Sequence, residues 1–123
     1  MRALHLERGA VAEQRAADYL QQQGVAILAR NLRCRGGELD LVALDGPLLL
    51  VIEVRQRGRM DYGGALASVT LPKQRRIIRA ARYLLQADAA LRGRRLRFDV
   101  IGVQGPPGGE QDIVWIKDAF RAG

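Results

Sequence analysis

Residues 37–55 have the sequence GELDLVALDGPLLLVIEVR, and this stretch decides the fold. Two apolar runs of strand length, residues 38–44 and 48–55, flank the turn signal Asp45-Gly46-Pro47, which predicts a β-hairpin. Both runs are apolar at odd and at even positions, so a sheet built on this hairpin needs cover on both faces. We therefore expect a central sheet packed between helices.

The rest of the chain supplies the elements that this arrangement needs. Their order, α-β-β-β-α-β-β, predicts one α/β domain over residues 1–123, with a mixed central sheet between helices. In chain order they are a helix over about 8–23 that ends at Gly24, a strand over 25–33, the two hairpin strands, a loop over 56–70, a helix from Thr70 to about Ala90, strands over 95–103 and 112–117, and a short helical turn at 118–120.

Charge and cysteine content narrow the function classes. The net charge is +7, and 18 of the 20 basic residues are arginine, which binds phosphate in a fork and stacks on bases. A nucleic-acid partner would explain this excess of arginine. The alternative explanation is a genome of high GC content, which raises the arginine content of all its proteins. One cysteine, no signal peptide and no apolar run of about 20 residues predict a cytoplasmic protein without a membrane partner.

Acidic residues interrupt the apolar hairpin at three positions. Glu38 and Asp40 share one face of the first strand, and Glu53 shares a face of the second strand with Arg55. Like charges at one place repel unless a cation separates them, and a hard ion such as Mg²⁺ or Mn²⁺ would bind one or two of these carboxylates. The alternative is a strand end with solvated acids and an ion pair to Arg55.

The length of the turn determines whether these two faces coincide. A two-residue loop, Asp45-Gly46, would pair Leu44 with Pro47, whereas a four-residue loop would pair Leu44 with Leu49 and put Asp40 opposite Glu53. Both loops place the polar side chains on one face, and a three-residue loop would separate them. We favour the four-residue loop because Pro47 has no N–H to close the tighter turn.

Together these residues resemble the YraN family of uncharacterised bacterial proteins. More broadly they are similar to the restriction-endonuclease-like, PD-(D/E)xK nucleases, whose signature is an Asp followed by Glu-x-Lys on the next strand. The residues that carry the resemblance are Gly37-Glu38-Leu39-Asp40-Leu41-Val42, Val51-Ile52-Glu53-Val54-Arg55-Gln56-Arg57, Gly9, Glu13, Gly24, Asn31, Gly63, Ala65, Val69, Lys73, Tyr83-Leu84, Arg97-Phe98-Asp99-Val100 and Ala119-Phe120.

The resemblance implies a restriction-endonuclease-like α-β-β-β-α-β core and a catalytic role for five residues. Asp40 and Glu53 would be metal ligands, and Glu38 an accessory acid. Glu13 resembles the helix glutamate that completes the site in Holliday-junction resolvases of this fold. Arg55 departs from the superfamily motif because it occupies the lysine position, and arginine stays charged and cannot act as a base.

Two basic segments are candidates for contact with nucleic acid. In the loop that follows the second hairpin strand, Arg57, Arg59 and Tyr62 offer charge and a stacking surface, with a disordered connector as the alternative. In the following helix the candidates are Lys73, Arg75 and Arg76, beside the outward-facing Arg79 and Arg82. An ordinary solvated helix face is the alternative explanation for this helix.

We therefore expect a Mg²⁺-dependent endonuclease that hydrolyses phosphodiesters in DNA, rather than RNA, with branched or repair intermediates as candidate substrates. A junction-cutting enzyme needs two active sites, which would favour a homodimer. One alternative is a non-catalytic nucleic-acid-binding module with a relict nuclease site, which Arg55 favours. Another is an interaction protein whose basic surface meets an acidic partner.

Overall fold

A computed structural model of the protein has helices on both faces of a five-stranded sheet. It describes residues 2–57, 64–105 and 112–122, with side chains from residue 10 onward except that of Arg57. The helices are α1 (Arg2–Gln22), α2 (Gly64–Ala67) and α3 (Leu71–Ala87), with a 3₁₀ turn at Ala89–Leu91. The strands are β1 (Ala26–Cys34), β2 (Gly37–Asp45), β3 (Leu48–Arg57), β4 (Leu96–Gln104) and β5 (Asp112–Phe120).

The strands follow the order β1-β2-β3-β4-β5 across the sheet. All neighbours are antiparallel except β3 and β4, which are parallel and are joined by the crossover that contains α2 and α3. This arrangement confirms the predicted mixed α/β sheet between helices, and its order of elements agrees with the expected nuclease-like core. Within the described residues, no helix combines the length and the apolar character that crossing a membrane requires.

Each face of the sheet packs against its own helix, because the central strands are apolar on both sides. Ala16, Ala17 and Leu20 of α1 cover one face, and Ile77 and Ala81 of α3 cover the other. The α1 face contributes Leu41, Ala43, Leu50, Ile52, Ile101 and Val103, and the α3 face contributes Val42, Leu49, Val51, Phe98 and Val100.

The central hairpin has the predicted register. Leu44 pairs with Leu49, as the four-residue alternative requires, and Asp45 also pairs with Leu48. The loop therefore shortens to Gly46 and Pro47, with Gly46 at a φ of +59°. In this register the N–H that closes the turn belongs to the residue after the proline, so the missing N–H of Pro47 does not prevent a two-residue loop.

Side chains in β2 do not alternate along its whole length. Leu39 packs on the α3 face with Val42, whereas Leu41 packs on the α1 face, so the expectation that Leu39 and Leu41 share a face is wrong. The break coincides with an irregularity in the neighbouring strand, where Asn31 of β1, opposite Asp40 in the register, has a φ of +48°. Such a backbone irregularity turns the strand locally.

Three segments differ from the expected ones. The segment 56–70, expected as a loop, contains the end of β3 and the helix α2. The helix α1 begins at Arg2 rather than near residue 8, and β5 continues to Phe120, so the helical turn expected at 118–120 is wrong. In place of that turn, Asp118 adopts a φ of +54° within a bulge, and its N–H donates to the buried carboxylate of Asp99 at 2.9 Å. The hydrogen bond to Asp99 links β5 to β4 at the bulge, and pairing resumes beyond it between Phe98 and Phe120.

Candidate functional site

The three hairpin acids line one cleft of about 330 Å³. These acids are Glu38, Asp40 and Glu53, and the cleft that they line lies below the start of α3. The other lining residues are Gly37, Lys73, Arg76 and Ile77. The structure thus brings together the predicted acids on β2 and β3 and adds two basic side chains from a distant part of the sequence.

A backbone group of β3 fixes the orientation of Asp40. The regular pairing of β2 with β3 stops at Leu41 and Ile52, one residue short of Asp40. Past that point, Oδ2 of Asp40 accepts a hydrogen bond from the N–H of Val54 at 2.9 Å. The side chain of Asp40 therefore replaces the next rung of the ladder and is held at the end of the paired region.

Glu53 is a buried acid with only 3% of its surface exposed. Its Oε1 lies 2.9 Å from Nζ of Lys73 and 3.7 Å from Nη1 of Arg55. Burial, and then the charge of the neighbouring Asp40, raise the pKa of Glu53 to about 7, although Lys73 acts in the opposite direction. A buried carboxylate with an elevated pKa beside a second acid is typical of a functional site.

Lys73 is the site residue whose role sequence reasoning missed. The helix α3 begins after the N-cap Thr70, whose hydroxyl accepts from the Lys73 N–H, and its first turn places Lys73 over Glu53. We predicted Lys73 only as a contact for nucleic acid. Composition carried a signal: in a chain with 18 arginines and 2 lysines, a lysine in the first turn of a helix indicates a need for an amine rather than for any positive charge.

Arg55 lies beside the carboxylates but is held by the backbone that follows α2. Its Nε donates to Oγ of Ser68 at 2.9 Å, and its Nη2 donates to the Ser68 carbonyl at 3.4 Å. Ser68 in turn donates to the carbonyl of Ala65 at 2.6 Å. The guanidinium thus connects β3 to the segment that leads into α3, and the structure assigns it a bracing contact.

Glu13 reaches toward the cluster from α1. Burial raises its pKa, a hydrogen bond with Asn31 lowers it, and the charges of Asp40 and Glu38 raise it further. The glutamate therefore lies within electrostatic range of both acids. It does not line the cleft.

The predicted nucleic-acid contacts divide into three groups. Lys73 and Arg76 line the carboxylate cleft, whereas Arg75 lines a separate pocket of about 320 Å³. Arg59 and Tyr62, together with the side chain of Arg57, lie outside the described residues.

The carboxylates suit a hard cation with an incomplete set of protein ligands. In the described part of the chain, no group of three or more His, Cys, Asp or Glu side chains is close enough to hold a metal. Mg²⁺ needs only one or two carboxylates because it keeps several waters. Asp40 and Glu53 lie within hydrogen-bonding range of each other, and their unfavourable pairing raises the pKa of Glu53. They fit such an ion.

A larger pocket of about 520 Å³ lies at the opposite end of β3, around Leu48 and Phe98. Two of its three arginines already have acidic partners: Arg97 donates to Asp99, and Arg121 donates to Asp118. Because these charges are satisfied internally, the smaller carboxylate cleft is the stronger candidate for chemistry.

Comparison with known proteins identifies relatives over nearly the whole chain. The model of the uncharacterised protein family UPF0102 matches residues 12–103. A UPF0102 protein of Pseudomonas putida is 46% identical over 113 residues, which are 92% of this chain and 92% of the relative. The UPF0102 protein of Nitrosococcus oceani is 42% identical over 119 residues, which are 97% of this chain and 95% of the relative. That of Legionella pneumophila is 41% identical over 117 residues, which are 95% of this chain and 97% of the relative. This protein therefore belongs to the UPF0102 family, which confirms at the family level the resemblance to YraN proteins.

Proposed function

We propose that this protein is a metal-dependent endonuclease that hydrolyses phosphodiesters in DNA. The observation that carries the proposal is the buried Glu53 carboxylate, placed next to Asp40 and 2.9 Å from the amine of Lys73. The two acids lie on the adjacent strands β2 and β3 and the amine comes from the helix α3, and together they resemble the acid–acid–lysine set of the nuclease signature, with the lysine on a helix instead of the strand.

In this proposal Asp40 and Glu53 hold the cation. When bound, Mg²⁺ would polarise the phosphodiester and lower the pKa of the attacking water. Asp40 is suited to this task because the Val54 N–H holds its carboxylate in one orientation. Glu53 must lose its proton to bind the ion, so a pKa of about 7 couples metal binding to pH in the neutral range.

Lys73 and Arg76 supply the positive charge of the cleft. The Lys73 ammonium carries a mobile point charge on a side chain that is 35% exposed, so it can turn from Glu53 toward a phosphate oxygen. Arg76, which is exposed at the same cleft, would bind the phosphate that flanks the scissile bond. The N–H donors of Lys73 and Arg76 would then stabilise the negative charge that develops on the phosphate during cleavage.

The remaining acids and Arg55 act around this centre. Arg55 is a positioning residue, because its contacts with Ser68 fix the segment that leads into α3 and hence Lys73. Glu38 is exposed on the cleft wall. Glu13 adds negative charge from the α1 side, which would strengthen cation binding without direct contact.

Cleavage of a labelled DNA panel tests the proposal. Duplex, flap and four-way-junction DNA would be incubated with the protein in Mg²⁺, in Mn²⁺ and in EDTA. We expect cutting of at least one substrate with metal only, and its loss in Asp40→Asn and Glu53→Gln. Asp112→Asn is the matched control, because Asp112 is an exposed acid of β5 and should leave cleavage unchanged. Cleavage that survives both cleft substitutions would exclude this site.

A second candidate function is a nucleic-acid-binding module without turnover. The specific observation in its favour is that the Lys73 amine lies 2.9 Å from Oε1 of Glu53, so an internal ion pair can balance the charge of this carboxylate without a metal. Binding that weakens with salt, without metal-dependent cutting of any substrate in the panel, would support this candidate over the endonuclease.

A further inference from the structure

The helix α3 carries several positive charges that no acid of the same helix balances. Its 17 residues include five basic side chains and no acid. Three of them, Lys73, Arg75 and Arg76, lie in the N-terminal part of the helix, where the macrodipole disfavours cations. Such a charge pattern costs stability in the free protein, and an anionic ligand would offset that cost.

These cations point to two sides of the helix. At 100° per residue, the mean direction of Arg75, Arg79 and Arg82 is roughly opposite to that of Lys73. Lys73 and Arg76 line the carboxylate cleft. The three other arginines line a separate pocket of about 320 Å³ together with Ile78 and Ala122, and we call this the arginine pocket.

The arginine pocket is available for an external anion. Its three arginines are exposed, and among the described residues none of them has an ion pair or a hydrogen bond. In the part of the chain that the structure describes, no carboxylate side chain lines the pocket. By contrast, Arg97 and Arg121 of the larger pocket are paired with Asp99 and Asp118. The arginine pocket is therefore lined by three arginines that have no acidic partner among the described residues.

The spacing of the two basic sides selects the kind of ligand. An α-helix with its side chains is about 10–12 Å across, so a phosphate bound at Lys73 cannot also reach the arginine pocket. The two strands that border the major groove of a duplex are about 12 Å apart, and that groove admits an α-helix. From Arg75 to Arg82 the helix rises by about 10 Å, which corresponds to about three phosphates of one strand.

We propose that the arginine pocket binds the backbone of the complementary strand of double-stranded DNA, while the cleft on the other side of α3 receives the strand to be cut. This inference rests on the proposed function and specifies its substrate as a duplex, or the duplex arm of a branched molecule. The helix α3 then lies between the two strands, and the arginine pocket contributes to binding but not to chemistry.

Binding measurements without metal test this inference separately from cleavage. Fluorescence anisotropy in EDTA would compare a labelled 20-base single strand with the same sequence as a duplex, over a range of salt concentrations. The test variant replaces Arg75, Arg79 and Arg82 with Gln. The matched control replaces Arg15, Arg92 and Arg94 with Gln, which lowers the net charge from +7 to +4 equally. Arg15 lies on α1, and the other two donate only to backbone carbonyls.

We expect the test variant to lose at least tenfold in duplex affinity and about two to three units of salt slope, because each lost phosphate contact lowers the slope by about one. Its affinity for the single strand should stay within about twofold of the wild type, as should the control for both ligands. An equal loss for both ligands, or an equal loss in the control, would overturn the inference. Absence of cleavage by the wild type would count against the endonuclease only, since binding is measured without metal. Circular dichroism would check that each variant is folded.

Discussion

The amine of Lys73 lies 2.9 Å from Oε1 of Glu53, although the two residues are on different elements and are separated by 19 residues in the sequence. Glu53 belongs to a central strand and Lys73 to the first turn of the crossover helix. A βαβ crossover is right-handed and returns along the sheet, and here it sets the start of the helix over the carboxylates.

Substitution of Lys73 should impair cleavage more than binding. We expect Lys73→Gln to lower kcat by about 100-fold or more, the cost of removing one donor to developing charge, with KM changed by less than about threefold. Lys73→Arg should lose less, because it keeps the charge in a different geometry. Lys117, the other lysine, lies over the Trp115 ring, and Lys117→Gln is the control. Equal kcat values for the two Gln variants would contradict the assigned role.

The stability of the metal-free protein should fall as the pH rises through neutrality. The pKa of Glu53 is about 7 in the folded state and near 4.5 when unfolded, so between these values the folded state binds the extra proton. The free energy of unfolding then decreases with pH, by up to about 3 kcal/mol. Denaturant unfolding in EDTA at pH 5 and pH 8 should show this difference.

Glu53→Gln should remove most of this dependence and should be more stable than the wild type at pH 8. A smaller slope of the same sign should remain from Glu13, whose pKa is also raised. Glu38→Gln, at the exposed acid of the same cleft, serves as the control and should keep the wild-type slope. A wild-type slope between pH 5 and pH 8 that equals the slope of Glu53→Gln would contradict the burial effect.

Asp99 should be among the most important residues for stability outside the cleft. It is fully buried and accepts from both Nε and Nη2 of Arg97, from Nε1 of Trp115 and from the N–H of Asp118. We expect Asp99→Ala to lower the free energy of unfolding by about 3–5 kcal/mol, since it leaves Arg97 without its partner. Denaturant unfolding followed by Trp115 fluorescence measures the loss. A cost no larger than that of the exposed Asp112→Ala would show that the network is dispensable.

A close approach between β4 and α2 gives a second stability test. A Cβ placed on Gly102 would lie 2.7 Å from Cβ of Ala65, too close for either atom to remain in place. Gly102→Ala should therefore destabilise the protein by about 1–3 kcal/mol. Because Ala65 is the clashing partner, adding Ala65→Gly should recover part of that loss. A double-mutant cycle with no coupling between the two positions would contradict the contact.

The hairpin and its site could be predicted from the sequence because both depend on local rules. Side chains alternate along a strand and the turn signal is strong, so a loop of even length that puts the acids on one face follows from the pattern, whereas the choice of the Leu44–Leu49 pairing needed the argument from Pro47. The reversal at Leu39 could not be predicted, since it depends on the left-handed backbone of Asn31 in the neighbouring strand. The extension of β5 to Phe120 likewise depends on a tertiary contact, between Asp118 and Asp99.

The basic residues show the same limit. Helical periodicity placed Arg75, Arg79 and Arg82 on an outward face, and they are exposed. Periodicity could not show that Lys73 contacts Glu53, because that contact depends on where α3 packs along the sheet. Arg55 fills the signature position, so sequence order alone directed attention to Arg55 rather than to Lys73. Ser68, which engages Arg55, has no sequence motif that indicates this role.

The most direct measurement is the single-turnover rate of cleavage of a labelled four-way junction whose arms are duplex, with wild-type protein and Asp40→Asn in parallel, each in Mg²⁺ and in EDTA. We predict a measurable rate for the wild type in Mg²⁺, with loss of at least about 100-fold both in EDTA and in Asp40→Asn. Equal rates for the two proteins, or a wild-type rate unaffected by EDTA, would contradict a metal-dependent site built on Asp40 and Glu53.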